Sequence, residues 1–467
     1  MEEQSMEGWW WLPNHEENKV AGTMTFSDEH GLQLKLFGAF KELTELENVA
    51  QHPRIFGVAG GKLITLFNCL EAGSNLTFPG ALTQRFMASV GCIGGHPSAL
   101  TEQRFRQANI RYNHLAEWSR TSGFETDWDT PDNDLLQFRV QYSYPDEVQA
   151  DTRAGMISIS YGFEYRPEAF SEIILRESLH FRVEPKEVLL FDDWLRIFVR
   201  PLQNFLTLAT RIPNYVVSLQ LFPTKDTDEE STGNKETALE FIFQQNLSSP
   251  QKQQTKVSST FDMLFALPDI REGFSDIVDK WLEIADELDS VCNLFFSLAY
   301  RAPTYLENRF LPLVQAAESY HRRRRKNEVL SPAEHGRKIE SILEHVPTEH
   351  KEWLLQKLNY SNEPSLRKRL KELVDETEGV ISPLIGSKQK FVDDVVNTRN
   401  YLTHFDEELQ SKAARGADLF RLAEALSVIV EACLLGELGL TGEIRTKLFH
   451  RNQRYTYAVK QARSTKS

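Results

Sequence analysis

Three polar residues near the end of the chain have types and a spacing that suit the cleavage of a phosphodiester. They are Arg399, Asn400 and His404, in the stretch NTRNYLTHFDEEL. Metal-free cleavage of RNA needs a group that moves the proton of the ribose 2′-hydroxyl or of the leaving oxygen, and histidine titrates in the right range. It also needs a cation at the phosphorus, which an arginine fork provides. We therefore predict a catalytic site in which Asn400 orients one of its two partners.

The element that carries these residues reads as an amphipathic helix. In KFVDDVVNTRNYLTHF the apolar and polar residues fall on opposite faces of a helix. The apolar face carries Phe391, Val395 and Leu402. The polar residues are spaced by four, three and four, and they are Asp393, Asn397, Asn400 and His404. Most surface helices share this pattern, so the stripe alone does not decide between a site and a solvated face. Arg399 and His404 are about 140° apart on an unbroken helix. The spacing therefore predicts a helix that starts late or is broken, a long reach of the arginine, or a site completed by a second copy of the chain.

The charge of the chain is unevenly distributed. The net charge is −14 over 467 residues, but residues 301–467 hold 28 Lys and Arg against 23 Asp and Glu, which leaves 25 against 44 for residues 1–300. The two parts are therefore near +5 and −19, a difference that indicates different partners. The length predicts at least two domains.

Composition and the N-terminus limit the class of protein. No apolar run approaches the roughly 20 residues of a membrane span, and the start MEEQSMEGWWWLP lacks the basic opening of a secretory signal. The four cysteines form no C-x-x-C pair, and no H-E-x-x-H or other metal motif is present. We predict a cytoplasmic protein without membrane contact, catalytic metal or cofactor.

The first part of the chain has the period of β-structure. Apolar and polar residues alternate in LQFRVQYSY and ISISYGFEY, and less regularly in LQLKLFG and SLHFRV. One helix is predicted within it, in DDWLRIFVRPLQNFLTLATR, with Asp192 as the N-cap and a bend at Pro201. We predict a β-rich, sandwich-like domain over residues 1–270.

From residue 271 the period becomes helical and stays so to the end of the chain. Ser331, Pro332 and Glu334 have the spacing of a capping box with proline at the first helical position. An all-α helical bundle is therefore predicted over residues 271–467. The whole chain reads as a multidomain α+β protein.

Three stretches together resemble a known family. The sequence R-N-x-L-x-H at 399–404 is similar to the signature of HEPN domains. FLPLVQAAESYHRRRR, residues 310–325, resembles the helix found upstream of that signature in the ApeA-like branch. The opening GWWWLPNHEENKVAGTMTF resembles the start of the N-terminal domain of ApeA-type bacterial anti-phage defence proteins.

The resemblance implies a function and a set of residues. It implies a metal-independent endoribonuclease that acts on RNA, with transfer RNA as one candidate substrate, and that responds to a phage-derived trigger. It implies Arg399, Asn400 and His404 as nuclease residues, with Glu318 as a polar supporter; we add Asp393 from the polar stripe as a second supporter. It also implies a homodimer or higher symmetric oligomer, because HEPN motifs of two copies meet in one cleft.

Two alternatives stay open at this stage. The cations Arg322, Arg323, Arg324 and Arg325 are candidates for binding RNA, but cations at the end of a helix also complement its dipole. The chain as a whole also fits a non-catalytic interaction protein, whose bundle mediates assembly and whose β domain binds a peptide or glycan. The intact arginine, asparagine and histidine motif favours the nuclease.

Overall fold

The fold comes from a computed structural model that describes residues 1, 3–40, 49–76, 82–129, 137–168, 171–224, 238–245, 259–301 and 305–464. The chain divides into two compact units, Met1–Glu283 and Ile284–Ser467. The boundary between the units lies beyond residue 270, where the sequence changes period. The first unit is β-rich and the second is helical, so the predicted α+β class is confirmed.

The first unit is built mainly of strands. They are β1 Gln4–Trp11, β2 Val20–Ser27, β3 Gly31–Leu36, β4 Gln51–Ala59, β5 Lys62–Leu76, β6 Leu82–Ala88, β7 Val90–Ile93, β8 Arg104–Tyr112, β9 Phe124–Asp129, β10 Gln137–Tyr142, β11 Val148–Asp151, β12 Gly155–Glu168, β13 Glu172–Pro185, β14 Leu189–Leu190, β15 Val216–Pro223 and β16 Leu239–Phe243. Its helices are α1 Leu115–Ser119, α2 Phe191–Trp194, α3 Arg200–Thr210 and α4 Leu267–Ile270, and α5 Phe274–Glu287 begins in it.

One large antiparallel sheet organises these strands. Its order is β11-β12-β13-β8-β15-β16-β7-β5-β4-β1-β2-β3-β6, and β6 pairs again with β5. That last pairing closes six strands into a ring, a more specific arrangement than the sandwich that the alternation predicts. The long strand β5 makes closure possible, because its first part, up to Leu70, pairs with β4 and its second part, from Leu70 on, pairs with β6. A register shift between Glu71 and Gly73 interrupts the second pairing.

A buried tryptophan holds the first strand in this ring. Trp10 is fully buried and donates its indole N–H to the carbonyl of Gly22 at 3.1 Å. Its ring covers Gly57, where an added Cβ would lie 2.3 Å from a ring atom. Trp9, its neighbour, is exposed. Glycine at position 57 is therefore what allows the indole to reach the core.

The sequence prediction of strands is correct in position and partly wrong about burial. Ile157 and Ile159 on β12 are fully buried, as alternation predicts. Among the described strands, β10 pairs with β9 alone, in a separate two-stranded sheet. Phe138 and Val140 on β10 are therefore 50% and 42% exposed, although the pattern predicts a buried face.

The helix predicted at 192–211 is found at 191–210 and has an irregular middle. It begins at Phe191 without a side-chain cap, so the prediction of Asp192 as the N-cap is wrong. A π-helical turn, Leu195–Val199, joins α2 to α3, and the N–H of Arg200 bonds to the carbonyl of Leu195. Pro201 follows directly. Because proline has no N–H, it removes one α-helical bond at this point and accounts for the local change of winding.

The second unit is a helical bundle. Its helices after α5 are α6 Asp289–Tyr300, α7 Leu306–Arg324, α8 Pro332–Glu344, α9 Thr348–Leu358, α10 Leu366–Glu376, α11 Glu378–Ile381, α12 Lys388–His404, α13 Gly416–Glu437, α14 Gly442–Arg451 and α15 Gln453–Ser464. The predicted capping box is confirmed: Ser331 accepts from the N–H of Glu334 at 3.3 Å, and the Glu334 carboxylate accepts from the N–H of Ser331 at 3.2 Å.

Four helices position the residues of interest. α13 is buried along most of its length and packs against α7, while α10 packs against both α7 and α12. Phe391, Val392 and Val395 anchor α12 in the core. α8 and α9 have no buried residue among their members. The bundle core therefore fixes α7, α10 and α12 and leaves the α8–α9 hairpin outside it.

Candidate active site

Helix α12 carries all three predicted catalytic residues without a break. Ser387 caps its start by accepting from the N–H of Lys390 at 3.4 Å, and α-helix continues to His404. A broken helix, one of the sequence expectations, is therefore wrong. Arg399 and Asn400 are half-buried, whereas His404 is exposed in the last turn.

A groove of about 570 Å³ lies over the face of α12 that carries Arg399 and Asn400. Its walls come from α7, from the connection between α9 and α10, and from the start of α10. The polar residues that line it are Glu318, Arg322, Tyr360, Ser361, Glu363, Ser365, Arg367, Arg399 and Asn400. The fold thus brings together Arg399, Asn400, Glu318 and Arg322, four residues that the sequence singles out, and leaves His404 outside the lining.

Arg399 differs from the other arginines of the groove in its partners. Arg322 is paired with Glu363 at 2.9 Å, and Arg367 is paired with Asp393. Arg399 donates to the amide oxygen of Asn400 at 3.1 Å, and no carboxylate among the described residues pairs with it. Its positive charge is therefore held in place but not neutralised, as a phosphate-binding group requires.

The wall opposite α12 rests on a buried polar network. Arg369 is 1% exposed, and it lies 3.5 Å from Glu363 and donates to Nδ1 of His321 at 3.2 Å. Since arginine is always the donor, Nδ1 of His321 accepts and its Nε2–H donates to Glu372 at 2.7 Å. Burial lowers the pKa of Arg369. Glu363, and through it Arg322, is therefore held by groups that cannot easily move.

Glu318 is the acid of the groove that lies on α7. Its side chain is 28% exposed and sits 3.9 Å from Arg322. At that distance the pair is a weak electrostatic contact, so the carboxylate can still accept a hydrogen bond from a ligand. Its place beside the Arg399 and Asn400 pair fits the supporting role that the resemblance implies.

Asp393 lies outside the groove lining. It accepts from Nε2 of Gln389 at 2.9 and 3.0 Å and pairs with Arg367. Through Arg367 it fixes one side chain of the groove wall. Asp393 is thus placed to hold a neighbour and not to touch a ligand.

The basic run on α7 has partners along its length. Arg323 donates to the carbonyl of Glu287 at 3.5 Å, Arg324 pairs with Glu287 and Glu437 at 2.7 and 3.1 Å, and Arg325 pairs with Glu376 at 2.5 Å. These contacts join the ends of several helices. Of the four predicted RNA-binding arginines, Arg322 alone lines the groove.

Sequence reasoning missed Tyr360, which stands on the groove rim with 72% of its surface exposed. The ring makes no aromatic contact with a described residue. It lies in the segment Asn359–Pro364, whose turn-forming residues separate two helices. An aromatic residue in such a polar connection is the sequence feature from which Tyr360 could have been predicted as a site residue.

No group of three or more His, Cys, Asp or Glu side chains in the described part of the chain is placed to hold a metal ion. No described helix is long and apolar enough to cross a membrane.

A β-rich unit followed by a helical bundle, with an arginine open to anions in a groove of the bundle, defines a two-domain protein with a candidate phosphate-binding site. Comparison with protein families matches residues 5–281 to ApeA N-terminal domain 1 and residues 311–444 to the Apea-like HEPN domain. The chain belongs to the ApeA-like family, a family of anti-phage defence nucleases with a C-terminal HEPN domain. HEPN domains are generally nucleases that act on RNA. Neither the curated proteins nor the solved structures contain a match to the chain.

Proposed function

We propose that the chain is a metal-independent endoribonuclease of anti-phage defence and that it cuts RNA at the groove over α12. The observation that carries the proposal is the guanidinium of Arg399, which Asn400 orients at 3.1 Å and which has no carboxylate partner among the described residues. An oriented, uncompensated cation in a groove is the arrangement that binds a phosphate and stabilises charge that develops on it.

Each residue has a role in this mechanism. Arg399 binds a non-bridging phosphate oxygen and stabilises the phosphorane-like transition state, while Asn400 holds the guanidinium in position. His404 moves the proton at the 2′-hydroxyl or at the leaving 5′-oxygen. Glu318 accepts a hydrogen bond from the RNA beside them.

The exposed position of His404 favours an active form with more than one copy of the chain. His404 ends α12 and does not line the groove that holds Arg399 in the same chain. We infer that a second copy of the chain brings its own His404 to this groove, so that the active form is a homodimer or a higher symmetric oligomer. From the family we also propose transfer RNA as the substrate, a phage-derived trigger and a cytoplasmic location.

The test is an RNA cleavage assay in EDTA. Purified protein is incubated with total RNA, with and without lysate from phage-infected cells, and compared with Arg399→Ala, His404→Ala and the control Lys390→Ala. Lys390 is on the same helix, outside the groove, and pairs with Asp394 at 2.7 Å. We expect each catalytic variant to lose about 100-fold or more in rate and the control to keep it.

Two results contradict the proposal. Equal cutting by the parent protein, Arg399→Ala and His404→Ala would show that other residues, or a contaminant, do the chemistry. Cutting by the parent that disappears in EDTA and returns with a divalent cation would exclude the metal-independent mechanism.

A further inference from the structure

The first unit contains a cavity of about 600 Å³, and it shares no lining residue with the groove. It lies among β4, β5, β7 and the end of β16 on one side and the α2–α3 segment on the other. This volume is within the range of roughly 300–1,000 Å³ that small-molecule sites occupy. The cavity is therefore large enough to be a site, and its lining shows what it would bind.

The floor of the cavity is apolar. It is lined by Leu100, Leu195 and Phe243, which are partly exposed and therefore accessible to a ligand. Such a surface packs against a ring or another flat apolar group and not against a bare inorganic ion. An apolar body is therefore one requirement for the ligand.

The rim of the cavity carries two arginines that are open to an anion. Arg54 donates to the carbonyl of Pro97 at 3.3 Å and lies 5.5 Å over the ring of Phe56. Neither Arg54 nor Arg200 pairs with a carboxylate in the part of the chain that the structure describes, although residues 1–300 hold 44 acidic against 25 basic residues. Two uncompensated cations on one cavity in an acidic region favour an anionic ligand.

Neutral polar groups complete the lining. Asn68 donates to Oγ of Ser89 at 3.0 Å and Gln203 donates to the carbonyl of Asn214 at 2.8 Å. The amide oxygen of each accepts no bond from a described residue, so each can accept one from a ligand. Asp192 also lines the cavity and pairs with neither arginine, and its carboxylate suits an amine or a sugar hydroxyl.

Two irregular pieces of backbone shape the cavity. Asn68 has a φ of 52°, a left-handed conformation within strand β5. Leu195 and Val199 belong to the π-helical turn between α2 and α3. Both features cost free energy, and both are found often at functional sites. Here both contribute side chains to the same cavity.

We propose that this cavity binds a small organic anion with a flat apolar ring, the chemistry that a mononucleotide presents. The ring lies against Leu100, Leu195 and Phe243. The anionic group binds Arg54 and Arg200. The hydrogen-bonding edge of the ring meets the amide oxygens of Asn68 and Gln203. The site belongs to the β-rich unit and does not depend on the nuclease groove.

The experiment is isothermal titration of the full-length protein with AMP, GMP, CMP and UMP, and separately with inorganic phosphate and the four nucleosides. We expect at least one nucleotide to bind at least about tenfold more tightly than phosphate or its own nucleoside. Arg54→Ala and Arg200→Ala should each weaken that binding about tenfold or more. Asn68→Gly should also weaken it, and glycine keeps the left-handed backbone without strain.

Two variants serve as controls. Arg196 lies one turn before Arg200 on the same segment, pairs with Asp193 at 3.2 Å and does not line the cavity, so Arg196→Ala should bind like the parent protein. Arg399→Ala removes the phosphate-binding residue of the groove, so nucleotide binding that this variant keeps is binding outside the groove.

The proposal is overturned if none of the four nucleotides binds at about 1 mM, or if phosphate alone binds as tightly as a nucleotide. Nucleotide binding that survives both Arg54→Ala and Arg200→Ala also overturns it. Binding that is lost in Arg399→Ala but kept in Arg54→Ala would place the nucleotide in the groove and would also overturn the proposed cavity site.

Discussion

Arg399 donates a hydrogen bond to the side-chain oxygen of Asn400, its direct neighbour on α12, over 3.1 Å. Adjacent residues point about 100° apart on a helix, so the two side chains must turn toward each other to make this contact. The amide is neutral. It therefore restrains the guanidinium without cancelling its charge, whereas Arg322 and Arg367 in the same groove are matched by carboxylates.

Because Asn400 restrains Arg399 without neutralising it, a negative charge at position 400 should impair RNA cleavage. Asn400→Ala removes the restraint and should slow RNA cleavage about tenfold, while Asn400→Asp neutralises Arg399 and should slow it about 100-fold or more. The measurement is the single-turnover rate on one RNA. Asn397→Asp adds the same charge to the same helix outside the groove lining and should have little effect. Equal rates for Asn400→Ala and Asn400→Asp would contradict the assigned role of Arg399.

The separation of His404 from the groove leads to a test by mixing subunits. If the histidine acts on the groove of a second copy, inactive Arg399→Ala and His404→Ala chains should recover part of the activity when they assemble together, because one mixed site keeps both intact residues. The assay is RNA cleavage after the two variants have been mixed and allowed to exchange, with each variant alone as the reference. Exchange demonstrated by mass without any recovery would count against the shared site.

Local features of the fold were predictable from the sequence. The capping box of Ser331 and Glu334 is confirmed because its bonds join residues three apart. The strand at Gln137–Tyr142 was also found, but the exposure of Phe138 depends on which strands pair, and alternation does not encode that. The ring of strands likewise depends on a pairing between β5 and β6.

The groove could be predicted only in part. Arg399 and Asn400 are a local pair, and the motif identified them. Tyr360 and Glu363 reach the groove from another segment, and the buried link between Glu363 and Arg369 follows from packing. The position of His404 outside the groove agrees with the helical spacing, which separates it from Arg399.

The end of α12 contains a strained residue. Phe405 follows His404 with a φ of 53°, and its side chain is 71% exposed. A left-handed conformation costs a non-glycine residue about 1–2 kcal/mol, so Phe405→Gly should raise the free energy of unfolding by about 0.5 kcal/mol after the greater entropy of the unfolded chain is counted. Urea unfolding measures this change.

For a second phenylalanine, Phe420, we expect substitution by glycine to lower the free energy of unfolding. Phe420 is 46% exposed on α13, in right-handed helix. Phe420→Gly should therefore lower stability by about 1 kcal/mol or more, because glycine is a poor helix residue and because the ring also lies over the guanidinium of Arg309. If both substitutions lowered stability alike, backbone strain at Phe405 would not contribute significantly to the free energy of unfolding.

A buried ion-pair cluster should make the stability of the bundle depend on pH. Glu424 on α13 has a side chain that is 11% exposed and pairs with Arg454 on α15 at 3.0 Å and with Arg309 on α7. Burial acts to raise the pKa of Glu424, but the two arginines outweigh burial and lower this pKa below its usual value of 4.5. The cluster therefore contributes stability that is fully present above pH 4.5 and is lost as the pH falls through the lowered pKa.

Glu424→Gln tests this dependence. The variant leaves Arg309 and Arg454 without their carboxylate, so at pH 7 it should lose about 2 kcal/mol of unfolding free energy. This is less than the roughly 3–5 kcal/mol of a fully buried pair, because the side chain of Arg454 is 52% exposed. The difference from the parent protein should shrink as the pH falls below 4.5, because the parent then protonates Glu424 itself. Asp418→Asn is the control on the same helix: its carboxylate is 71% exposed and pairs with Arg421, so its removal should change stability little at either pH. A loss for Glu424→Gln that is the same at pH 7 and at low pH would show that packing, and not charge, links the three helices.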